Sequence, residues 1–174
     1  MLDPVASDAA EQSARADFIA HWRTLHCENG VPSVAGFLDQ ALPRFAPWTM
    51  IVDVEQRGTL PLRLIGTRLA DTFGEQTGND FLFIMPSGVR SVVRRAHQLM
   101  CTLPCGWHTE SLAVTSGGRE VIVELISLPL RNKGSISCVV KLAHIVAQLD
   151  YREALVNVVD LRNSTWVDLG AGVP

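Results

Sequence analysis

The chain has 174 residues, of which 47% are hydrophobic and 19% charged, and its formal net charge is -3. That is the length of one domain, or of one domain with extensions. The apolar share excludes intrinsic disorder, which needs few apolar residues and a strong net charge. No Lys/Arg cluster forms the basic stripe of a dedicated nucleic-acid binder, so nucleic acid is not an expected partner. Mean hydropathy is +0.18, yet the apolar runs are short, as in Val121–Val123, Leu128–Leu130 and Ile145–Ala147. A spanning helix needs about 18 or more such residues, and no membrane association is expected. Met1–Ala10 has neither a basic region nor an apolar run and does not read as a secretory signal. Cys27, Cys101, Cys105 and Cys138 show neither metal-ligand nor CxxC spacing. Free thiols and a cytoplasmic location are expected.

In chain order, Ser7 to Cys27 reads as an amphipathic helix, with Ala14, Phe18, Ile19, Trp22 and Leu25 on one stripe and Asn29-Gly30 as its stop. Val31 to Pro47 contains three prolines and reads as a loop with a short turn near Asp39–Phe45. Trp48–Gln56 and Leu60–Ile65 form a hairpin about Arg57-Gly58. A short helix, Arg68–Phe73, follows Gly66-Thr67, and Phe81–Met85 is compatible with a short helix or an extended piece. Ser87 is placed to cap a longer helix in which Val89, Val92, Val93, Ala96, Leu99, Met100 and Leu103 keep helical spacing up to Pro104.

Three strands then make an antiparallel meander: Trp107–Thr115, Glu120–Leu130 and Ser135–Val146, turning at Gly117-Gly118 and Asn132–Gly134. The middle strand is apolar on both faces and needs cover on both sides, for which the N-terminal helix is the natural lid. The last strand alternates in the manner of a half-buried strand. Tyr151–Leu161 is compatible with a strand or a short helix, and Val167–Pro174 reads as irregular. The elements define an α+β fold: a five-stranded antiparallel sheet in the order 2-1-5-4-3, with helices across one face enclosing a pocket.

This element order, together with His21-Trp22-Arg23 in the first helix, Val31-Pro32-Ser33, Arg63-Leu64-Ile65-Gly66-Thr67, Thr77-Gly78-Asn79-Asp80 and Ser127-Leu128-Pro129-Leu130, resembles the PAS sensor fold. It is most similar to the PAS_5 (DUF1457) family of single-domain alphaproteobacterial proteins, over about residues 17–146. The resemblance implies a sensory or signalling module without catalytic residues, acting through a partner protein, and a homodimer formed through the N-terminal helix. It divides the chain into residues 1–30 (a helix capping the sheet or forming a dimer), 31–146 (the PAS-like domain) and 147–174 (a C-terminal extension). The expected ligand pocket is lined by Val52, Leu64, Leu69, Phe73, Phe81, Ile84, Val92, Ala96, Met100, Val123 and Val140, and suits a small apolar ligand or a packed, ligand-free core. The expected interface residues are Phe18, Ile19, Trp22 and Leu25; burial of Trp22 alone is worth about 2–3 kcal/mol.

No cofactor is assigned, and haem and flavin are disfavoured. His97 lies on the long helix, where the resemblance would put a haem ligand, but the helical wheel sets it at the flank of the stripe as a boundary histidine. No cysteine lies between Cys27 and Cys101, which excludes the covalent flavin chemistry of the light-sensing PAS subclass. Arg90, Arg94 and Arg95 read as a solvated basic side of the long helix. The alternative reading is a small cone-shaped α+β isomerase or hydrolase. Its acid and base would be His108 and Glu110, which share a strand face about 7 Å apart.

Overall fold

In a computed structural model of the chain, described over residues 4–25, 27–28, 30–146 and 155–174, the helical spacing of Phe18 and Trp22 is realised in α1 (Pro4–Thr24). The helix stops before the expected Asn29-Gly30. Thr24 Oγ1 donates to the His21 carbonyl at 2.7 Å, and Gly30 (φ 78°) instead serves the turn between two short paired strands, β1 (Cys27–Glu28) and β2 (Val31–Pro32); Asn29 lies outside the described residues. Ser33 then caps α2 (Val34–Asp39), its Oγ accepting from the Gly36 amide at 2.9 Å. A helix therefore forms earlier than the turn expected near Asp39–Phe45.

The expected hairpin forms from β3 (Thr49–Asp53) and β4 (Leu62–Ile65). It leads into α3 (Thr67–Phe73), and Phe81–Ile84 makes a 3-10 turn whose cap, Asp80, accepts from the amides of Leu60 and Leu82. A second 3-10 turn, Ser87–Val89, precedes α4 (Arg90–Thr102), so Ser87 begins a tight turn rather than capping the helix. The meander follows as β5 (Gly106–Thr115), β6 (Glu120–Asn132) and β7 (Ser135–Ile145). Lys133 and Gly134 both have positive φ in the β6–β7 turn, as a tight two-residue hairpin requires. Residues Leu155–Val167 add β8, a strand along β5. Of the stretch Tyr151–Leu161, residues 151–154 lie outside the described residues.

The sheet order is β4-β3-β7-β6-β5-β8, all antiparallel. Its first five strands reproduce the expected 2-1-5-4-3, and β8 is a sixth. One face carries α3, the Phe81–Ile84 turn and α4, with Val52, Leu69, Phe81, Met100 and Trp107 in its core. The other is covered by α1 and α2, whose Phe18, Trp22 and Phe37 pack on Ile51, Ile126, Leu128 and Val140. With both faces covered, β7 is not half-buried as its alternation suggested: Val139, Lys141 and Ala143 are as inaccessible as Cys138, Val140 and Leu142. No helix among the described residues is long and apolar enough to cross a membrane.

The Gly-Thr step after β4 has a steric cause. A Cβ on Gly66 would stand 2.3 Å from the Ala46 carbonyl oxygen and 2.5 Å from that of Pro47, while the Gly66 amide donates to the Thr49 carbonyl at 2.7 Å. Backbone blocks backbone here, so no side-chain rotation relieves the contact. Gly66→Ala is expected to cost about 1–3 kcal/mol or more in urea denaturation. A loss below about 0.5 kcal/mol would show that the Ala46–Trp48 turn yields freely.

Candidate functional site

Of the expected pocket residues, Val52, Leu69, Phe81, Ala96 and Met100 meet between the sheet and α4, with Phe73 and Ile84 partly buried at the margin. Val123 belongs to a neighbouring cluster with Ala113 and Val121. Three residues stand elsewhere. Val140 has the opposite strand parity to Val139 and Lys141 and packs under α1, where Leu64 also contributes. Val92 is 51% exposed, because α4 turns Val93, Ala96, His97 and Met100 inward.

This rotation places His97 in the core, fully buried rather than at a boundary. Its Nδ1 donates to the Val93 carbonyl at 2.7 Å, and its ring lies against Phe81 and Trp107. Its Nε2 has no partner. Beside it Lys141, 1% exposed, donates to Ser127 Oγ at 2.8 Å and sits 4.8 Å over the Phe81 ring. Burial brings the Lys141 ammonium down to about 7. Burial, and then the Lys141 charge, hold His97 well below the usual imidazole range. Most of the residues expected to line an aliphatic pocket thus belong to a buried core cluster that holds a polar knot. Strand parity sets Lys141 on the face opposite Cys138, Val140 and Leu142, and it is buried because that face too is covered, by α3 and α4. The same strand pair explains Ser127-Leu128-Pro129-Leu130: Ser127 accepts from Lys141, the Pro129 carbonyl accepts from Trp22 Nε1 at 3.0 Å, and Leu128 and Leu130 are fully buried.

The interface candidates are used within the chain. Phe18, Trp22 and Leu25 are 0%, 2% and 3% exposed against the chain's own sheet, and Ile19 packs partly buried on the same cluster. The stripe is seated on the chain's own sheet, the capping role expected for this helix. Arg90 and Arg94 are likewise tied down, donating to the carbonyls of Met85 and Gly58 at 3.0 and 2.8 Å.

His108 and Glu110 share a face of β5, on the α1 side of the sheet. His108 Nε2 is 3.6 Å from Glu124 Oε2, across the strand pair, so its ion-pair partner is Glu124 rather than Glu110. Arg15 of α1 brings Nη1 to 3.3 Å from both ring nitrogens. Burial and then the Arg15 charge lower the His108 pKa, against the pull of Glu124 and Glu110. The space beside them is only about 20 Å³, room for one water and not for an organic substrate. Centring the β5–β6 hairpin on Gly117 would have placed Glu124 opposite Glu110 from the sequence alone.

A larger cleft, about 300 Å³, opens between α2 with its following loop and the β3–β4 hairpin. Phe37, Leu38, Leu42, Phe45, Ile51 and Leu64 line it, with His21, Thr49 and Thr67 as polar groups. Leu38 is 43% exposed at the surface. No sequence pattern announced it, because its walls come from α1, α2, β3, β4, α3 and the loop between α2 and β3.

The five-strand order with helices on one face is the PAS arrangement, and the chain belongs to the PAS_5 family of PAS domains, whose model matches residues 10–140. PAS domains are generally sensory or signalling modules and typically non-catalytic. No curated protein matches the chain. Among solved structures it is similar to an RNA-binding light-oxygen-voltage receptor, at 17% identity and TM-score 0.47, covering 65% of this chain and 33% of that one. It is also similar to the PAS domain of a Colwellia psychrerythraea protein, at 12% identity and TM-score 0.46, covering 63% and 97%. A third is VqmA of Vibrio cholera in a ligand–DNA complex, at 8% identity and TM-score 0.43, covering 70% and 52%. The chain therefore spans about a third of the receptor and about half of VqmA.

Proposed function

We propose that the chain is a non-catalytic PAS-type sensory module that binds a small apolar ligand in the cleft between α2 and the β3–β4 hairpin. The observation that carries this reading is the cleft itself: about 300 Å³, at the lower end of the range for small-molecule sites, apolar with a few polar groups. His21 is both a wall of the cleft and a residue of α1, so an occupant would touch the helix that covers the sheet. A ligand that favours one packing of α1 and α2 shifts their equilibrium, and a partner protein reading that surface would receive the signal. The cavity-enzyme alternative has less support, since His108 turns to Glu124 and the space beside it holds no more than a water.

The test fills the cleft. Ala41 lines it, and Ala41→Trp should weaken saturable binding of 1-anilinonaphthalene-8-sulfonate at least tenfold while leaving the circular dichroism spectrum unchanged. Equal binding by the folded variant and the wild type would remove the cleft as the ligand site.

A further inference from the structure

We propose that the α1-covered face of the sheet carries a binding site for one divalent transition-metal ion of the zinc type, built from His108 and Glu110 of β5 and Glu124 of β6. One ligand atom from each of the three lies within 4.8 Å of the other two. His108 Nε2 and Glu124 Oε2 are already 3.6 Å apart, close to the roughly 3.3 Å between neighbouring ligands around a tetrahedral zinc. Rotation of the Glu110 side chain supplies the rest. One imidazole and two carboxylates are a donor set suited to zinc or cobalt.

Three features separate this cluster from an ordinary acidic surface. His108 is buried, and the adjoining cleft of about 20 Å³ has the size of one water or one ion. Glu110 and Glu124 stand directly opposite in the β5–β6 ladder, where like charges repel, so the pair calls for a cation between them. His144 is the next residue in the row, opposite Glu124 on β7, and also lines the cleft. Arg15 is the cation at this place, reaching His108 from α1. An incoming ion displaces the Arg15 guanidinium, so metal binding and the seating of α1 compete.

The test is calorimetric titration of the untagged full chain with Zn²⁺, and with Co²⁺ followed by visible absorption. One equivalent should bind. Affinity should fall at least tenfold in Glu124→Gln and in His108→Ala, and should rise several-fold in Arg15→Gln, which removes the competing charge. Because Arg15→Gln removes no ligand, it keeps the test open if either ligand variant misfolds. Failure of both the wild type and Arg15→Gln to bind one equivalent would overturn the proposal. So would binding that Glu124→Gln and His108→Ala retain, or a thiolate-to-cobalt charge-transfer band, which would place the ion on cysteine. The result is independent of the apolar cleft, since none of the variants touches its walls.

Discussion

Trp22→Ala is expected to lower the unfolding free energy by about 3–5 kcal/mol, a large share of the 5–15 kcal/mol that holds a typical domain together. Trp22 is 2% exposed and its indole nitrogen donates to the Pro129 carbonyl at 3.0 Å. Truncation removes the ring from the core shared by α1, α2 and β6, and leaves that carbonyl without its partner. Trp22→Phe keeps most of the apolar volume and should cost only about 1–2 kcal/mol, the loss of one buried hydrogen bond. Urea denaturation followed by circular dichroism measures both. A Trp22→Ala loss below about 1 kcal/mol would mean that α1 is not seated on the sheet in solution.

Lys141→Met is expected to act in the opposite direction, raising stability by about 2 kcal/mol at neutral pH. Even a buried ion pair, whose charges offset each other, is often replaced by well-packed apolar side chains at no cost or with a gain of about 1–4 kcal/mol, and Lys141 has no carboxylate partner among the described residues. The opposing loss is the bond to Ser127 and the contact with Phe81. The sharper signature is in the pH dependence. Lys141 titrates near about 7 in the fold and near about 10.4 when unfolded. Between those values the unfolded chain binds one proton more, so wild-type stability should climb with pH, by up to about 1.4 kcal/mol per unit. Below about 7 both states carry the Lys141 proton and its contribution ceases, while His97 and His108, whose pKa values the fold lowers, extend a climb below about 6.5 that does not depend on the Lys141 proton. Above about 8.5 the half-buried thiol of Cys101 and the buried thiol of Cys138, raised to about 11 and about 12, hold protons that the unfolded chain releases, which works against the climb. The window to measure is therefore pH 7 to about 8.5. The wild type should rise there and the Met variant should stay flat; equal slopes would place the ammonium in water.

The topology was legible because its punctuation is local. Arg57-Gly58, Gly117-Gly118 and Asn132–Gly134 each mark a hairpin, and Pro104 ends α4. β8 was legible only as one of two alternatives over Tyr151–Leu161, a strand or a short helix, because an edge strand is held by backbone pairing to one neighbour: its Asp160, Arg162, Asn163 and Ser164 interrupt any apolar alternation, and three register shifts against β5 break the parity. The interior of the α4 face differs from the expected one by a small rotation of the helix. The apolar spacing fits Val92 and Leu99 as well as it fits His97, and only packing on the sheet decides that His97 goes in and Val92 out. Lys141 was hidden by the ordinary expectation that lysine marks a solvent face. The cleft at Phe37 and Leu64 depends on α2 docking beside β4, which no single stretch of sequence encodes.

The last strand has a further role as a bumper. Without residues 155–167, β5 would offer a ten-residue row of vacant amides and carbonyls, an inviting template for a foreign strand. With them the rim is irregular in register and carries a linked Asp160 and Arg162. A fragment ending at residue 140, as the family match does, would disturb β7 as well, so the clean trim ends after Ile145. Of the strands it removes β8 alone, and the fragment is expected to grow into ribbons with its neighbours more readily than the full chain.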